Sequence, residues 1–282
     1  MTAIKNSTFG LCTVLLFTAI GYSLPESLGQ TPPSQPAGQV ADVAFQHGER
    51  LTYKIYYNLN FIWVPAGEVT FKIFDEDNQY HYQAHGQTYD SYEWFFSAKD
   101  EYDSWVDKTT LLPNYSERNV NEGDYHIFEK ITFNQAGRKM TVWRSPKRGE
   151  KEEKTEHTVK ADCNDVLSSL YNLRNFDYGS QAAGYSVPFR IFMDKEEYPL
   201  KMNYLGKDSN KKIYKMGRYK TLKFQPEVIA GTVFKEDAKM TVWVSDDANR
   251  IPLLIESPVS VGAVKMVLKD YWGLKYNFEA KN

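Results

Sequence analysis

Cysteine is scarce in this 282-residue chain: Cys12 and Cys163 are the only two. Cys12 lies in an apolar stretch near the start that reads as a removable leader. Cys163 is then alone in the body, which excludes an internal disulfide framework. Charge of one sign is missing too. Lys and Arg number 34 against 36 Asp and Glu, a net charge of −2, so there is no electrostatic footprint for a nucleic-acid partner. The basic run Lys207, Lys211, Lys212, Lys215, Arg218, Lys220 and Lys223 is offset by acidic stretches at Asp100 to Asp107 and Glu150 to Glu156, and reads as a solvated strand face.

Long apolar runs are also lacking. The best, Phe9 to Leu24, follows Lys5 and is interrupted by Gly10, Thr13, Thr18, Gly21 and Ser23. It falls short of the ~20 apolar residues a membrane span needs and fits a secretory signal instead. Small residues suit cleavage after Gly29 or after Gly21, and the first is preferred because Pro-rich sequence begins there. No lipoprotein attachment sequence surrounds Cys12. The expectation is a signal peptide over residues 1–29, a flexible Pro-rich linker over 30–42 (TPPSQPAGQVAD from Thr31) and a single β-rich domain over 43–282. The product is expected to be soluble, in the periplasm or outside the cell, with no transmembrane segment once the signal is removed.

Signatures of catalysis and metal binding are equally scarce. There is no Gly-rich phosphate loop and no Gly-x-Ser-x-Gly elbow. An EF-hand at Asp75 fails at Tyr80 and Gly86, where Gly and Glu are needed. His81 and His85 would lie ~13 Å apart along a strand, too far to share one ion. Asp246 and Asp247 read as exposed turn residues. Cys163 sits near a helix start, one of the conditions for a reactive thiolate, but His157 lies in a charged, loop-like run and no Cys-His hydrolase signature appears; Cys163 reads as a small apolar residue. No catalytic residue, metal ligand or cofactor is expected.

Aromatic residues, by contrast, make up 15% of the chain, with 20 Tyr, and large rings suit pleated surfaces. Short alternating runs separated by turn signals predict strands. In ERLTYKIYYNL, Leu51, Tyr53, Ile55 and Tyr57 share one face. Val69, Phe71 and Ile73 follow, then a turn at Asp75 to Asn78, then Tyr80, Tyr82 and Ala84. Further strands are predicted at Tyr125 to Phe133, Arg138 to Arg144, Tyr185 to Met193, Glu197 to Leu205, Lys211 to Met216, Tyr219 to Phe224, Lys239 to Ser245, Ile251 to Ser257 and Ala263 to Tyr271. Only Ala161 to Tyr178 reads as a helix. Asp162 or Asn164 can cap it, and Val166, Leu167, Leu170, Tyr171 and Leu173 form its apolar stripe. The fold class is therefore mostly β and antiparallel, with one short amphipathic helix that packs against a concave sheet face or closes a barrel end.

The motifs GERLTYKIYYNLNFIWVPAGEVTF, LLPNYSERNVNEGDYHIFEKITF, DVLSSLYNLRNFDYGS, YKMGRYKTLKFQPE and KMTVWVSDDANRIPLLIESPVSVGAVKMVLKDY, in that order, resemble a bacterial secreted family, domain of unknown function 3108. The resemblance spans nearly all of Gly48 to Tyr271 and implies a secreted protein without an assigned activity. VWVSDDANRIPLL is also similar to a hairpin of periplasmic lipoprotein-carrier proteins, and that resemblance implies an antiparallel curved sheet or incomplete β-barrel, with the helix plugging or lining the opening.

Two segments stand out as candidate sites. NFIWVPAG, Asn60 to Gly67, is apolar where the connection between the first two strands should be polar. Its tip either folds back to cap the barrel or forms an exposed apolar patch. In YEWFFSAKDEYDSWVDK, Trp94, Phe96 and Tyr102 share one strand parity and Phe95 and Trp105 the other, so one set should face inward. Phe61, Trp63, Trp94, Phe96 and Tyr102 are the candidate ligand wall. These features point to a non-catalytic binding or carrier module for an apolar, lipid-like ligand at the bacterial envelope. The alternative is a module that binds an envelope glycan or protein.

Overall fold

The computed structural model describes residues 42–59, 62–92, 97–228, 239–259 and 262–282. The alternating segments form fourteen strands: β1 (Arg50–Leu59), β2 (Ile62–Glu76), β3 (Gln79–Thr88), β4 (Lys99–Asp107), β5 (Pro113–Glu122), β6 (Tyr125–Asn134), β7 (Lys139–Ser145), β8 (Glu153–Thr158), β9 (Ser186–Met193), β10 (Glu196–Ile213), β11 (Gly217–Pro226), β12 (Thr241–Ser245), β13 (Pro252–Pro258) and β14 (Ala263–Trp272). Every neighbouring pair is antiparallel, in the order β8-β7-β6-β5-β4-β3-β2-β1-β14-β13-β12-β11-β10-β9. The chain thus starts at the middle of one open sheet, walks outward to β8, crosses to the far edge at β9 and walks back until β14 pairs with β1.

Strand periodicity decides which face is buried. On β4, Asp100, Tyr102, Ser104 and Val106 are buried while the residues between them are not. Across β11, β12 and β13, Phe224 stands opposite Val242 and Val242 opposite Ile255, one continuous inward row. Strands β13 and β14 are buried on both faces: Leu253, Leu254 and Ile255 are consecutive core residues, as are Met266, Val267 and Leu268. The arm of the β10–β11 hairpin accounts for the second face, because Lys211 Nζ lies 3.5 Å from the Trp243 ring centroid and Tyr214 meets Tyr56 at 6.1 Å.

The crossing from β8 to β9 carries α1 (Val166–Arg174), the one α-helix among the described residues. It is shorter than the predicted Ala161 to Tyr178, and its cap is Asp165 rather than Asp162 or Asn164. Asn164 is held in an extended bridge to β9: its N–H donates to the Arg190 carbonyl at 2.9 Å and its carbonyl accepts from Phe192 N–H at 2.8 Å. Asp162 pairs with Arg138. The helix therefore begins one residue later, where Asp165 accepts from Ser168 N–H and Ser168 Oγ accepts from Asp165 N–H, both at 3.0 Å, a reciprocal capping box. Every helix residue except Leu170 is buried, as expected of a helix enclosed by sheet.

Three more sequence readings need correction. The charged run containing His157 is not a loop; it holds strand β8, whose Glu153, Lys154 and Glu156 are exposed on a sheet edge, where charge blunts unwanted pairing. Ile62 to Gly67 are not a connection but the first part of β2, with a register shift beside Ala66. Asp246 and Asp247 are half-buried rather than exposed, and Asp247 accepts from Ser245 Oγ and from the amides of Asn249, Arg250, Glu279 and Ala280, tying the hairpin turn to the C-terminal tail.

Candidate functional site

Two pockets of unequal size flank the helix. Beside its first turn is a pocket of about 30 Å³, lined by Tyr102, Arg118, Glu129, Asp165 and Phe192 among others, room for roughly one water. Its charges satisfy one another. Arg118 Nε donates to Glu129 at 2.8 Å, Arg144 Nε donates to Glu129 at 2.7 Å, and Asp194 accepts from Arg118 and, at 2.8 Å, from Arg144. Burial opposes the Arg118 charge, but Asp194 and Glu129 outweigh it and raise its pKa. Burial also pushes the Asp165 carboxyl up, offset in part by bonds from Ser104 and Ser168. This is a structural network.

The larger space, about 70 Å³, lies beyond the second half of the helix. Leu170 and Leu173 form one wall, and Met202, Phe224, Val242 and Ile255 of β10 to β13 form the other. Its lining is almost wholly apolar. Two polar side chains interrupt it, Tyr178 just past the helix and Arg250 just before β13. Arg174, which also borders the space, is fully engaged: it donates to Glu49 at 2.6 and 2.9 Å, to the Asn249 carbonyl at 2.9 and 3.2 Å and to the Ala44 carbonyl at 3.2 Å.

The expected ring wall is distributed differently. Phe61, Trp94 and Phe96 lie outside the described residues. Tyr102, 5% exposed, faces the interior but borders the small polar pocket. Trp63 is 36% exposed, sits opposite Asn58 on the outer face, and has Lys265 Nζ 4.1 Å from its ring centroid. The register shift beside Ala66 is the reason, since Val64 and not Trp63 pairs with the inward Tyr57. Trp105 also faces outward, stacked on His81 at 4.3 Å. His81 is less solvated than its strand position implies, bonded to Asp103 at 2.7 Å and Glu76 at 3.0 Å. Of the cavity residues, only Leu170 and Leu173 stood out in the sequence.

Cys163 is fully buried among Ile131, Phe133, Met140, Val142, Val159 and Phe192. It precedes the helix cap by two residues, and Gln135 brackets its backbone, accepting from its N–H at 3.1 Å and donating to its carbonyl at 2.8 Å. Burial pushes the thiol up to about 12, so it stays protonated and unreactive at neutral pH. Among the described residues no group of three or more His, Cys, Asp or Glu is placed to hold a metal ion.

Among the described residues, an open antiparallel sheet curled around one buried α-helix defines a β-barrel-like protein. The family signature described as protein of unknown function DUF3108 matches residues 52–269, and the chain belongs to that family. A similar fold occurs in the crystal structure of a β-barrel-like protein of the domain of unknown function DUF1849 from Brucella abortus, 8% identical, with 83% of this chain and 100% of that one covered and a TM-score of 0.54. A protein of YmcC-like fold from Bacteroides fragilis aligns at 7% identity over 82% of this chain and 100% of that one, with a TM-score of 0.31. At such identities the likeness concerns the fold alone. The short hairpin likeness to lipoprotein carriers gains no support from these matches. No curated protein matches the chain significantly. Among the described residues no helix is long and apolar enough to cross a membrane.

Proposed function

We propose that this protein is a non-catalytic binding or carrier module of the bacterial envelope that takes an apolar, lipid-like group into the space between α1 and β10 to β13. The observation that carries the reading is the apolar cavity of about 70 Å³ beside a helix whose other surfaces are packed. By proportion with the ~150 Å³ cavity that admits benzene, this space has room for roughly three carbon atoms, a chain end rather than a whole acyl chain. In this reading residues 1–29 are a secretion signal and 30–42 a tether to one binding domain, which N-terminal sequencing of the secreted product tests.

Titration of the full chain with 1-hexanol, followed by NMR, tests the binding. Saturable shifts at Leu173, Val242 and Ile255 are expected, and they should vanish when Val242→Trp or Leu173→Phe fills the space. Absence of binding, or binding untouched by both variants, overturns the proposal. A second reading, recognition of an envelope glycan or protein, draws on the exposed outer rings, Trp272 at 70% and Trp63 at 36%. A glycan array on which signal depends on Trp272 would favour it.

A further inference from the structure

The polar end of the apolar cavity specifies more than greasiness. Tyr178 is buried, and among the described residues its hydroxyl has no hydrogen-bond partner. A phenol without a partner costs about 1–3 kcal/mol unless something completes it. Its ring is fixed by edge contact with Phe224 at 4.5 Å and by Phe176 at 4.8 Å. It cannot swing out to water without breaking that packing. Burial pushes its pKa up, and the nearby positive charge of Arg250 works against that rise. Tyr178 and Arg250 both line the same cavity.

Arg250 differs from its neighbour Arg174. Arg174 is neutralised by Glu49, whereas Arg250 forms no ion pair with a carboxylate among the described residues, and its one side-chain hydrogen bond runs from Nη1 to the Arg174 carbonyl at 3.2 Å. Arg250 borders a cavity otherwise lined mainly by leucine, methionine, phenylalanine, valine and isoleucine side chains. A cation and a neutral donor at one end of an apolar space complement an anionic head on a short apolar chain.

We propose that the cavity recognises a carboxylate-headed short or branched aliphatic chain, with Arg250 and Tyr178 donating to the carboxylate and the chain lying between Leu173 and Val242. This inference rests on the apolar-binding reading above and adds the chemistry of the head group. Arg250 supplies the planar charged donor pair that matches a carboxylate, and Tyr178 supplies the neutral bond that its burial leaves open.

Calorimetric titration of the full chain with hexanoate, hexyl phosphate and 1-hexanol tests it, using the unaltered protein, Arg250→Gln, Arg250→Lys and Tyr178→Phe, each first checked for an unaltered thermal transition. Hexanoate should bind at least about tenfold more tightly than hexanol, the scale of one charge-assisted hydrogen bond. That advantage should vanish in Arg250→Gln, persist in part in Arg250→Lys and shrink in Tyr178→Phe. Equal affinity for hexanoate and hexanol, or an advantage untouched by Arg250→Gln, overturns the head-group assignment and leaves the apolar reading standing. Tighter binding of hexyl phosphate than of hexanoate overturns the choice of carboxylate. Failure of every ligand to bind overturns the apolar reading itself.

Discussion

The Arg174 guanidinium, buried at the end of α1, donates to both oxygens of Glu49 and to the carbonyls of Asn249 and Ala44. Removing one partner of such a pair strands the other charge in a medium that cannot solvate it. Glu49→Gln is expected to cost about 3–5 kcal/mol in urea unfolding, and a loss below about 1 kcal/mol would show that the pair is solvated. On the outer face, burial opposes a charged His81, but the hydrogen bond and charge of Asp103, then of Glu76, outweigh it and raise its pKa. Burial likewise works against the Asp103 carboxylate, but the bond from His81 wins and lowers its pKa. The sign follows: the imidazolium contribution is complete below about pH 6.5 and fades as pH rises through the raised value, while that of Asp103 is complete above about pH 4 and fades below. The stability difference between the protein and His81→Gln should therefore peak between about pH 4 and 6.5 and shrink toward pH 8; a difference independent of pH would contradict the pairing. At this scale the sequence is partly legible. Cys163 reads as an apolar residue from its isolation alone, but nothing local announces that Arg174 is buried, because its partner lies 125 positions away.

Helix α1 is set by its first turn. Asp165 receives Ser168 N–H and Ser104 Oγ, so it joins the helix to β4 as well as capping it. Asp165→Ala should cost about 1–3 kcal/mol, more than an exposed cap, because the buried Ser104 hydroxyl also loses its acceptor. A chemical-denaturation loss under about 0.5 kcal/mol would contradict that dual role. The apolar stripe of the helix was visible in the sequence, since its period is local. Its true start was not, because the edge of β9 captures Asn164 before the helix can begin. Strand β8 was hidden for a different reason: an edge strand covered in charge lacks the alternation that marks a half-buried one. The cavity wall was hidden as well. Phe224, Val242 and Ile255 each read as ordinary inward strand residues, and only the register that aligns them across three strands makes them a surface.

On the scale of the whole molecule, the edges β8 and β9 are consecutive in sequence yet lie at opposite ends of the sheet order. The backbone ladder does not join them. Side chains and the crossing segment bridge the gap: Asp194 accepts from Arg118 and Arg144, Lys195 Nζ lies 3.4 Å from Glu153, and Asn164 pairs with β9. Asp194→Asn should loosen this seam, with hydrogen exchange accelerating at the amides of β9 and of the 159–165 crossing while β1 to β3 stay protected. Uniform acceleration across the sheet would instead mean that Asp194 supports global stability only. The antiparallel strands were legible from alternation and turn spacing, but the way the sheet curls depends on long-range pairing that no single stretch encodes. The account turns on the hollow between α1 and β10 to β13, and crystals pressurised with xenon probe it directly. Xenon density bounded by Leu173, Phe224 and Val242 is the predicted result; an unoccupied, fully packed space at that position would contradict it.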